Sequence, residues 1–409
     1  MSRGHSLTRR AALTGAGVSF GAAFLRSKAS AAGARDPRFI VLILRGALDG
    51  LAAIAPVGDP DYAELRGPLA LGASGERAGL PLDGFFVAHP AMPVFARLFA
   101  QKQAAALHAV ATNYRDRSHF DGQDVLESGY PGPGRVDSGW LNRAAALLPQ
   151  GAGGARARGL GVGVIAPLVM RGPAPVLGWS PQLLPDAGAG LAERVLDLYA
   201  HRDPALAAAL AAGLETERLA RQGGMTDEMK KARGGMDQAA GMRQAAAGAA
   251  RLLAAPDGPR VAALAFDGFD THANEGAAQG QLAARLAGLD GAFEEFEKGL
   301  GAHWADTMIV AVTEFGRTAR VNGTGGTDHG VGAAAFLAGG AVAGGRVIAD
   351  WPGLAQKRLY QGRDLYPTLD LRAALKGALA DLFGLPERAL SEQLFPDSAS
   401  VAPMKGLTA

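Results

Sequence analysis

The sequence predicts an α/β sandwich with a mostly parallel central sheet and helices on both of its faces. Three observations indicate this fold class. Short, uninterrupted apolar runs rich in branched residues recur along the chain, which is typical of strands buried on both faces. Helical patterns separate these runs, and alternating strands and helices favour parallel pairing. Clusters of ionisable residues follow several of the runs, at the position where such folds bind ligands.

The first of these observations predicts five strands in chain order. They are Arg38–Leu44, 105–110, 261–266, 307–312 and 333–337. The helical patterns lie at 94–101, 191–214, 276–300 and 367–383. The last helix has Pro367 at its start and Gly384 just beyond its end, and these residue types favour helix boundaries.

Residues 1–31 have the features of a twin-arginine signal peptide. The pair Arg9 and Arg10 precedes the apolar stretch 11–25, and residues 29–31 read Ala-Ser-Ala, a form that signal peptidases cut. The stretch is shorter than the roughly 20 residues of a membrane-spanning helix. We therefore expect passage through the twin-arginine translocase, cleavage, and a mature chain in the periplasm or outside the cell. An uncleaved basic arm is the alternative interpretation.

The mature chain, residues 32–409, is predicted to be one α/β domain with a helical insertion at about 190–255. That segment is rich in Ala, Arg, Gln and Met and is interrupted by two glycine pairs. It would either cover the sheet as a lid or pack as ordinary core helices. No segment after the signal contains 18 uninterrupted apolar residues, so we expect no transmembrane segment in the mature chain.

Composition excludes several classes of site. Residues 1–31 contain five basic residues and no acidic residue, so their removal changes the formal net charge from +2 to −3. A mildly acidic chain without a Lys/Arg block argues against nucleic acid as a partner. The chain contains no cysteine, which excludes disulfides, thiolate metal sites and iron–sulfur clusters. Any metal would therefore be bound by histidines and carboxylates.

Candidate metal ligands lie in the loops at the strand ends. Oxygen and imidazole ligands suit one or two divalent ions of Zn, Mn, Mg or Ca, and two ions about 4 Å apart need about six ligands. The candidate ligands are Asp49, Asp270, His272, Glu314, Asp328 and His329. Simpler interpretations exist, since Asp49 precedes a glycine in a turn-like pair and Asp270 could cap a helix.

Three further residues are candidates for catalysis. Ser118 could act as a nucleophile activated by a metal, although a serine at this place could also cap a helix. His119 is its direct neighbour in the chain. Arg317 suits a bidentate grip on a phosphoryl or sulfuryl group.

An ordered set of motifs resembles the uncharacterised bacterial family called domain of unknown function 1501, from about residue 38 to about residue 395. The motifs are Leu-Arg-Gly-Ala-Leu-Asp-Gly-Leu, His-Pro, Arg-Ser-His-Phe-Asp, Phe-Asp-Thr-His, Thr-Glu-Phe-Gly-Arg-Thr and Gly-Thr-Asp-His-Gly. That family resembles the alkaline phosphatase and sulfatase superfamily. The resemblance implies a three-layer α/β/α sandwich of alkaline-phosphatase-like type with one or two divalent metals.

The motifs depart from the superfamily pattern in several places. One residue separates Asp270 from His272, where the superfamily has three. Glu314 stands where the superfamily has an aspartate followed by histidine. His329 resembles the last histidine of the superfamily, and Asp328 is an additional candidate. The absence of cysteine and of Ser-x-Pro-x-Arg argues against ordinary sulfatase chemistry.

Two functions follow from these observations. The first is an exported metal-dependent hydrolase or transferase acting on a phosphate, phosphonate or sulfate ester of a small molecule or polymer. The second is a non-catalytic exported binding or assembly factor that retains the fold, an alternative favoured by the missing superfamily ligands.

Overall fold

The structure of the protein is a computed structural model. It describes residues 35–135, 137–148, 158–181, 189–214 except 205, 209 and 212, and 235–409. The predicted signal peptide, 1–31, and part of the predicted insertion therefore lie outside the described residues. The chain divides into the units Met1–Asp36 and Pro37–Ala409, and the fold described below is that of the second unit.

A large sheet forms the centre of this unit. Within the described residues it contains nine strands, which are β1 (Arg38–Leu44), β5 (Ala104–Ala111), β6 (Gly159–Val162), β7 (Val176–Trp179), β8 (Val261–Phe266), β9 (Thr307–Val312), β10 (Ala333–Ala338), β11 (Arg346–Ile348) and β12 (Leu369–Asp370). Their order in the sheet is β11-β5-β10-β9-β1-β8-β6-β7, with β12 beside β5. A small second sheet contains β2 (Ile54–Ala55), β3 (Leu80–Pro81) and β4 (Val87–Ala88).

The predicted mostly parallel sheet is confirmed, and β10 is its exception. Strand β1 pairs in parallel with β8 and β9, and β6 pairs in parallel with β7 and β8. Strand β10 runs antiparallel to both of its neighbours, β9 and β5. The segment that precedes β10 therefore lies at the same sheet edge as the carboxyl ends of β5, β8, β1 and β9. Because β10 is reversed, the loop that precedes it lies at the same edge of the sheet as the loops that follow the parallel strands.

Helices cover both faces of the sheet. They are α1 (Gly50–Ala53), α2 (Tyr62–Arg66), α3 (Pro93–Ala100), α4 (His119–Ser128), α5 (Trp140–Leu147), α6 (Ala189–Arg202), α7 (Ala239–Ala254), α8 (Gln281–Leu300), α9 (Leu371–Phe383) and α10 (Glu387–Ala389). Alternate residues of β1 enter different cores, because successive side chains of a strand point to opposite faces. Ile40 and Leu42 pack in the core that contains α3, α7 and α8, whereas Phe39 and Val41 pack in the core that contains α5 and α9.

Two predicted helix starts were wrong. Helix α8 begins at Gln281 rather than at 276, because Gly276 and Gly280 have φ angles of 83° and 132°, which a right-handed helix does not accommodate. Helix α9 begins at Leu371 rather than at 367. Asp370 pairs with β5 and its side chain accepts from the Arg372 amide, so it caps the helix.

The predicted insertion at about 190–255 contains α6 and α7. Met242, Ala246 and Leu253 of α7 are buried in the core beneath the sheet. The boundaries of the insertion remain a prediction, since residues 215–234 are outside the described part of the chain. Among the described helices, none combines the length and apolar character needed to cross a bilayer.

Candidate metal centre

Four ionisable side chains from three separate segments meet at the carboxyl edge of the large sheet. His119 is the first residue of α4 and follows β5, Asp270 and His272 follow β8, and His329 precedes β10. We call these four residues the His/Asp cluster. Within the described part of the chain, His119, Asp270 and His329 form the group whose ligand atoms, all within 4.8 Å of one another, could hold a metal ion. His272 lies beside this group, with its Nε2 3.0 Å from His329 Nε2 and 3.0 Å from Asp270 Oδ1.

The ring nitrogens of the three histidines point at one another. His329 Nε2 lies 2.9 Å from His119 Nε2 and 3.0 Å from His272 Nε2. The Asp270 carboxylate faces the same point, with Oδ1 3.0 Å from His272 Nε2 and 3.3 Å from His329 Nε2. Its Oδ2 lies 3.3 Å from His119 Nε2. The Asp270 carboxylate thus contacts all three rings, and His119, Asp270 and His329 form the compact set around one centre, with His272 beside His329 and Asp270.

The second nitrogen of each ring has an acceptor outside the cluster. The pairs are His119 Nδ1 with Glu314 Oε1 at 2.8 Å, His329 Nδ1 with the Arg117 carbonyl at 3.1 Å, and His272 Nδ1 with Asp328 Oδ1 at 3.4 Å. A backbone carbonyl only accepts, so His329 Nδ1 donates to it and Nε2 is the ring nitrogen that faces the centre. Such outer acceptors are typical of metal-binding histidines, whose tautomer they fix.

The residues fit a divalent ion. Neighbouring ligand atoms of a tetrahedral ion with bonds of about 2.0–2.1 Å are about 3.3 Å apart. The separations of 2.9–3.3 Å in the cluster are close to that value. Imidazole lone pairs and a carboxylate that face one another repel unless a proton or a metal cation lies between them. The donor set of two imidazoles and one carboxylate in His119, Asp270 and His329, with the His272 imidazole beside it, suits zinc and also manganese.

The electrostatics of the cluster favour positive charge at its centre. Burial raises the pKa of Asp270, but hydrogen bonds from His119, His329 and Arg317 outweigh it and hold that pKa well below its usual range. Hydrogen bonds to Asp270 and Glu314 raise the pKa of His119 to about 9, against the opposing effect of burial.

Glu314 lies behind His119 rather than at the cluster centre. Its buried carboxylate accepts from the Gly46 amide at 2.9 Å, from Thr313 Oγ1 at 3.0 Å and from Gln123 Nε2 at 3.2 Å, in addition to His119. Both oxygens are thus occupied by neighbouring donors. The sequence predicted Glu314 as a metal ligand, and in the structure Glu314 instead orients the ring of His119.

Asp49 is separate from the cluster in its contacts. Its buried carboxylate caps α1 by accepting from the Ala52 amide at 3.1 Å and forms an ion pair with Arg66. Burial alone would raise the pKa of Asp49, yet Arg66 lowers it. Burial and the neighbouring Asp49 raise the pKa of Glu275 to about 8. The structure therefore places Asp49 in a buried ionic network, where its oxygens are already bound.

Arg317 and Asp328 both support the cluster from outside. The Arg317 side chain is fully buried and donates to Asp270 Oδ1 at 2.5 Å and to the Thr327 hydroxyl and carbonyl at 3.2 and 2.5 Å. Its role in the structure is to hold Asp270. Asp328 is more than half exposed and contacts His272 and Asn322, the latter at 3.0 Å.

Ser118 is adjacent to the cluster but is not part of it. It is the N-cap residue of α4, and its backbone amide donates to the Tyr114 hydroxyl at 3.2 Å. Its side chain is half-buried, directly before His119. The sequence therefore predicted the position of Ser118 beside the cluster.

Sequence reasoning missed a set of contacts that holds His329 from behind. Arg117 and Arg363 both donate to the buried carboxylate of Asp364, Arg117 through Nε to Oδ2 and Arg363 through Nε to Oδ1, each at 2.9 Å. The Arg117 carbonyl accepts from His329 Nδ1, and Arg363 Nη2 donates to the His329 carbonyl. We call Arg117, Arg363 and Asp364 the His329 brace. No sequence signal marked Arg363 or Asp364.

Two motif glycines allow the site loops to approach each other. A Cβ atom on Gly326 would lie 2.4 Å from the backbone carbon of His272, and one on Gly330 would lie 2.3 Å from the Arg317 carbonyl oxygen. Real Cβ contacts are not this short. Glycine at these positions therefore lets the segment before β10 pack against the loops after β8 and β9.

A comparison with protein families matches the region that contains these residues. The family model described as "Protein of unknown function (DUF1501)" matches residues 104–394, most of the chain. The chain belongs to this family. The matched region includes all four residues of the His/Asp cluster and the His329 brace. The DUF1501 description assigns no activity.

Comparison with solved structures gives distant similarities. The structure of Ps i-CgsB in complex with k-i-k-neocarrahexaose is 12% identical with a TM-score of 0.39, over 86% of this chain and 73% of that chain. A protein in the alkaline phosphatase superfamily from Vibrio parahaemolyticus is 12% identical with a TM-score of 0.31, over 74% of this chain and 60% of that chain. No curated protein matches the chain. At this level of similarity neither structure informs the chemistry of the DUF1501 chain.

Proposed function

We propose that this DUF1501 protein is a metal-dependent hydrolase or transferase acting on a phosphate, phosphonate or sulfate ester. One observation carries the proposal. Ligand atoms of His119, Asp270 and His329 lie within 4.8 Å of one another at the carboxyl edge of a mostly parallel sheet, and His272 Nε2 lies 3.0 Å from His329 Nε2. Ligands bind at this edge in such folds.

His119, Asp270, His272 and His329 would hold the ion. A bound divalent ion supplies Lewis acidity toward a phosphoryl or sulfuryl oxygen and lowers the pKa of a coordinated hydroxyl or water. The chain's residues supply the orientation. Glu314, Asp328 and the Arg117 carbonyl fix the three rings through their Nδ1 atoms.

Two of the residues predicted to be catalytic have restricted roles in this proposal. Arg317 positions Asp270, since its side chain has no exposed surface with which to meet a substrate. His119 is a ligand. Ser118 remains the candidate nucleophile on the ground of its half-buried position directly before His119.

We further propose that the protein is exported by the twin-arginine translocase to the periplasm or beyond. The arginine pair, apolar stretch and Ala-Ser-Ala triplet of residues 1–31 support this proposal. The translocation system accepts folded chains, which suits a site assembled from loops distant in sequence.

Elemental analysis of the purified protein tests the metal-dependent function. We expect about one divalent ion per chain and turnover of p-nitrophenyl phosphate or sulfate that chelation abolishes and added Zn²⁺ or Mn²⁺ restores. His329→Ala should lose most of the bound metal and the turnover, because it removes the central imidazole of the cluster. His201→Ala is the matched control, since His201 is an exposed histidine whose ring contacts the Asp197 carbonyl.

The two variants should therefore differ in metal content while both remain folded by circular dichroism. A wild-type protein that is folded, metal-free and unable to bind added metal would overturn the proposal and favour the non-catalytic binding factor.

A further inference from the structure

We propose that Arg363 binds an anionic oxygen of the substrate at the edge of the His/Asp cluster. The proposal rests on the proposed function, because it assigns a binding residue for the phosphate or sulfate group. The proposed function still lacks a cationic side chain that can reach the substrate. A phosphoryl or sulfuryl group needs a cationic partner besides the metal, and the predicted partner, Arg317, cannot supply one.

Arg317 is unsuited to substrate because of its burial. Its side chain has a relative exposure of 0%, and its Nε, Nη1 and Nη2 atoms each have an acceptor inside the protein. A substrate anion could replace these acceptors only by releasing Asp270 from its position. The required guanidinium must therefore come from an exposed residue next to the cluster.

Arg363 meets both requirements. Its side chain is 48% exposed, and its Nη2 donates to the backbone carbonyl of His329, a cluster residue. Its Nε donates to Asp364 Oδ1 at 2.9 Å. These contacts occupy the inner side of the guanidinium, and Nη1 makes none of the hydrogen bonds that this side chain forms with described residues. The outer side of the guanidinium is thus the part left for a ligand.

The brace around Arg363 holds its guanidinium in place. The Asp364 carboxylate is fully buried and is shared by Arg117 and Arg363, so two guanidinium groups surround one carboxylate. The local charge is therefore positive, which favours an anion. A guanidinium already fixed by its neighbours loses little further side-chain entropy when a ligand binds.

Backbone strain supports a functional role for this segment. Arg117 and Gln361 are non-glycine residues with φ angles of 61° and 54°, and Arg117 Nη2 donates to Gln361 Oε1 at 2.7 Å. Left-handed conformations of such residues cost energy and persist where the surrounding structure enforces them, often at ligand sites. Arg117 belongs to the His329 brace, and Gln361 contacts it through Arg117.

Phosphate binding to the metal-loaded full-length protein tests the proposal independently of turnover. Inorganic phosphate and sulfate are titrated calorimetrically into wild type, Arg363→Gln, Arg363→Lys and Arg358→Gln. Glutamine keeps a donor for the His329 carbonyl but removes the charge. Arg358 is the control, an exposed arginine of the same segment whose Nη1 contacts the Pro352 carbonyl.

We expect Arg363→Gln to weaken anion binding by about 10- to 100-fold, the value of one charge-assisted hydrogen bond. Its metal content should be unchanged, Arg363→Lys should recover part of the affinity, and Arg358→Gln should match wild type. The KM for p-nitrophenyl phosphate should rise in parallel.

Three results would overturn the proposal: wild-type anion affinity in Arg363→Gln, loss of metal from that variant, which would make Arg363 only a support for His329, or no anion binding by the metal-loaded wild type. Anion binding that depends on Arg363 in a protein without ester turnover would contradict the proposed function and leave this inference standing. Ester turnover with an unaltered KM in Arg363→Gln would contradict the role of Arg363 and leave the proposed function standing.

Discussion

The histidines of this protein occupy contrasting environments, and His108 is the clearest contrast to the cluster. It is fully buried in β5, donates from Nε2 to the Ile54 carbonyl at 2.8 Å and accepts at Nδ1 from the Ala109 amide at 2.8 Å. Its ring stacks on Phe86. Burial lowers the pKa of His108 from 6.5 to about 4. The imidazole is therefore neutral in the folded protein at neutral pH.

This pKa predicts an acid-dependent loss of stability. Between pH 6.5 and 4 the unfolded chain binds a proton at His108 that the folded chain does not, so folding loses stability as the pH falls through that window. The stability associated with neutral His108 is fully present above pH 6.5, and about 2 to 3 kcal/mol of the free energy of unfolding is lost at pH 4.5. Urea unfolding at pH 7.5 and 4.5 measures this effect.

His108→Gln is the informative variant. Glutamine retains one donor and one acceptor but does not titrate, so its free energy of unfolding should improve relative to wild type by about 2 to 3 kcal/mol on going from pH 7.5 to 4.5. Equal pH dependence in the two proteins would show that His108 is protonated in the folded state or does not contribute.

At the same scale, the sequence located most of the residues that meet at the cluster, and their roles stay predictions. Asp270, His272 and His329 were predicted as ligands and lie together in the cluster. His119 faces the cluster centre and Glu314 contacts His119 from behind, because which side chain reaches the centre depends on side-chain direction. Motif spacing carries no information on that direction.

At the scale of elements, α3 is capped by a residue from another helix. Its own N-cap residue, Met92, makes no side-chain cap. Asp290 of α8 accepts instead from the Val94 and Phe95 amides at 2.9 and 2.8 Å. Burial outweighs these hydrogen bonds and raises the pKa of Asp290 to about 6. This contact fixes α3 against α8 on one face of the sheet.

We expect Asp290→Ala to lower the free energy of unfolding by about 1–3 kcal/mol, because two amides in the first turn of the helix lose their acceptor. Asp290→Asn should cost less, since it keeps a carbonyl oxygen and removes a buried charge. Urea unfolding at pH 7 measures both variants. Glu297→Ala is the control, because Glu297 links the same two helices through an exposed pair with Arg97, and such pairs contribute about 0–1 kcal/mol. Equal losses in Asp290→Ala and Glu297→Ala would contradict the cap.

Strands were predictable because their signal is local. Val261–Phe266 and Thr307–Val312 are buried at every position, and a fully buried strand reads as a continuous apolar run. Helix starts were less predictable, since the residues that cap α3 and precede α8 act through tertiary contacts or backbone geometry. The antiparallel direction of β10 has no local signal at all.

At the scale of the whole molecule, the site joins residues from 117 to 364. It exists only when β5, β10, β9, β1 and β8 lie side by side in that order in the sheet. A chain exported by the twin-arginine translocase would complete this assembly, and bind its metal, before it crosses the membrane.

The double substitution Arg9→Lys and Arg10→Lys tests that order of events. We expect the full-length precursor to remain in the cytoplasm, folded and already carrying metal by elemental analysis, while the wild-type mature chain begins near Ala32 in the periplasm. Arg3→Lys, outside the arginine pair, should be exported normally. A double variant that is still exported and cleaved would contradict the export assignment, and a metal-free cytoplasmic precursor would contradict loading before export.

The sequence by itself determined the α/β class, five strands of the sheet and the loops that carry the site, because burial pattern and strand-end position are encoded in neighbouring residues. The tertiary structure decided which side chains reach the centre, that Asp49 belongs to a separate ionic network, and that Arg363 and Asp364 stand behind His329. Those outcomes depend on contacts between segments as far apart as His119 and Arg363, on the reversed direction of β10, and on glycines that let loops touch. No local pattern records them.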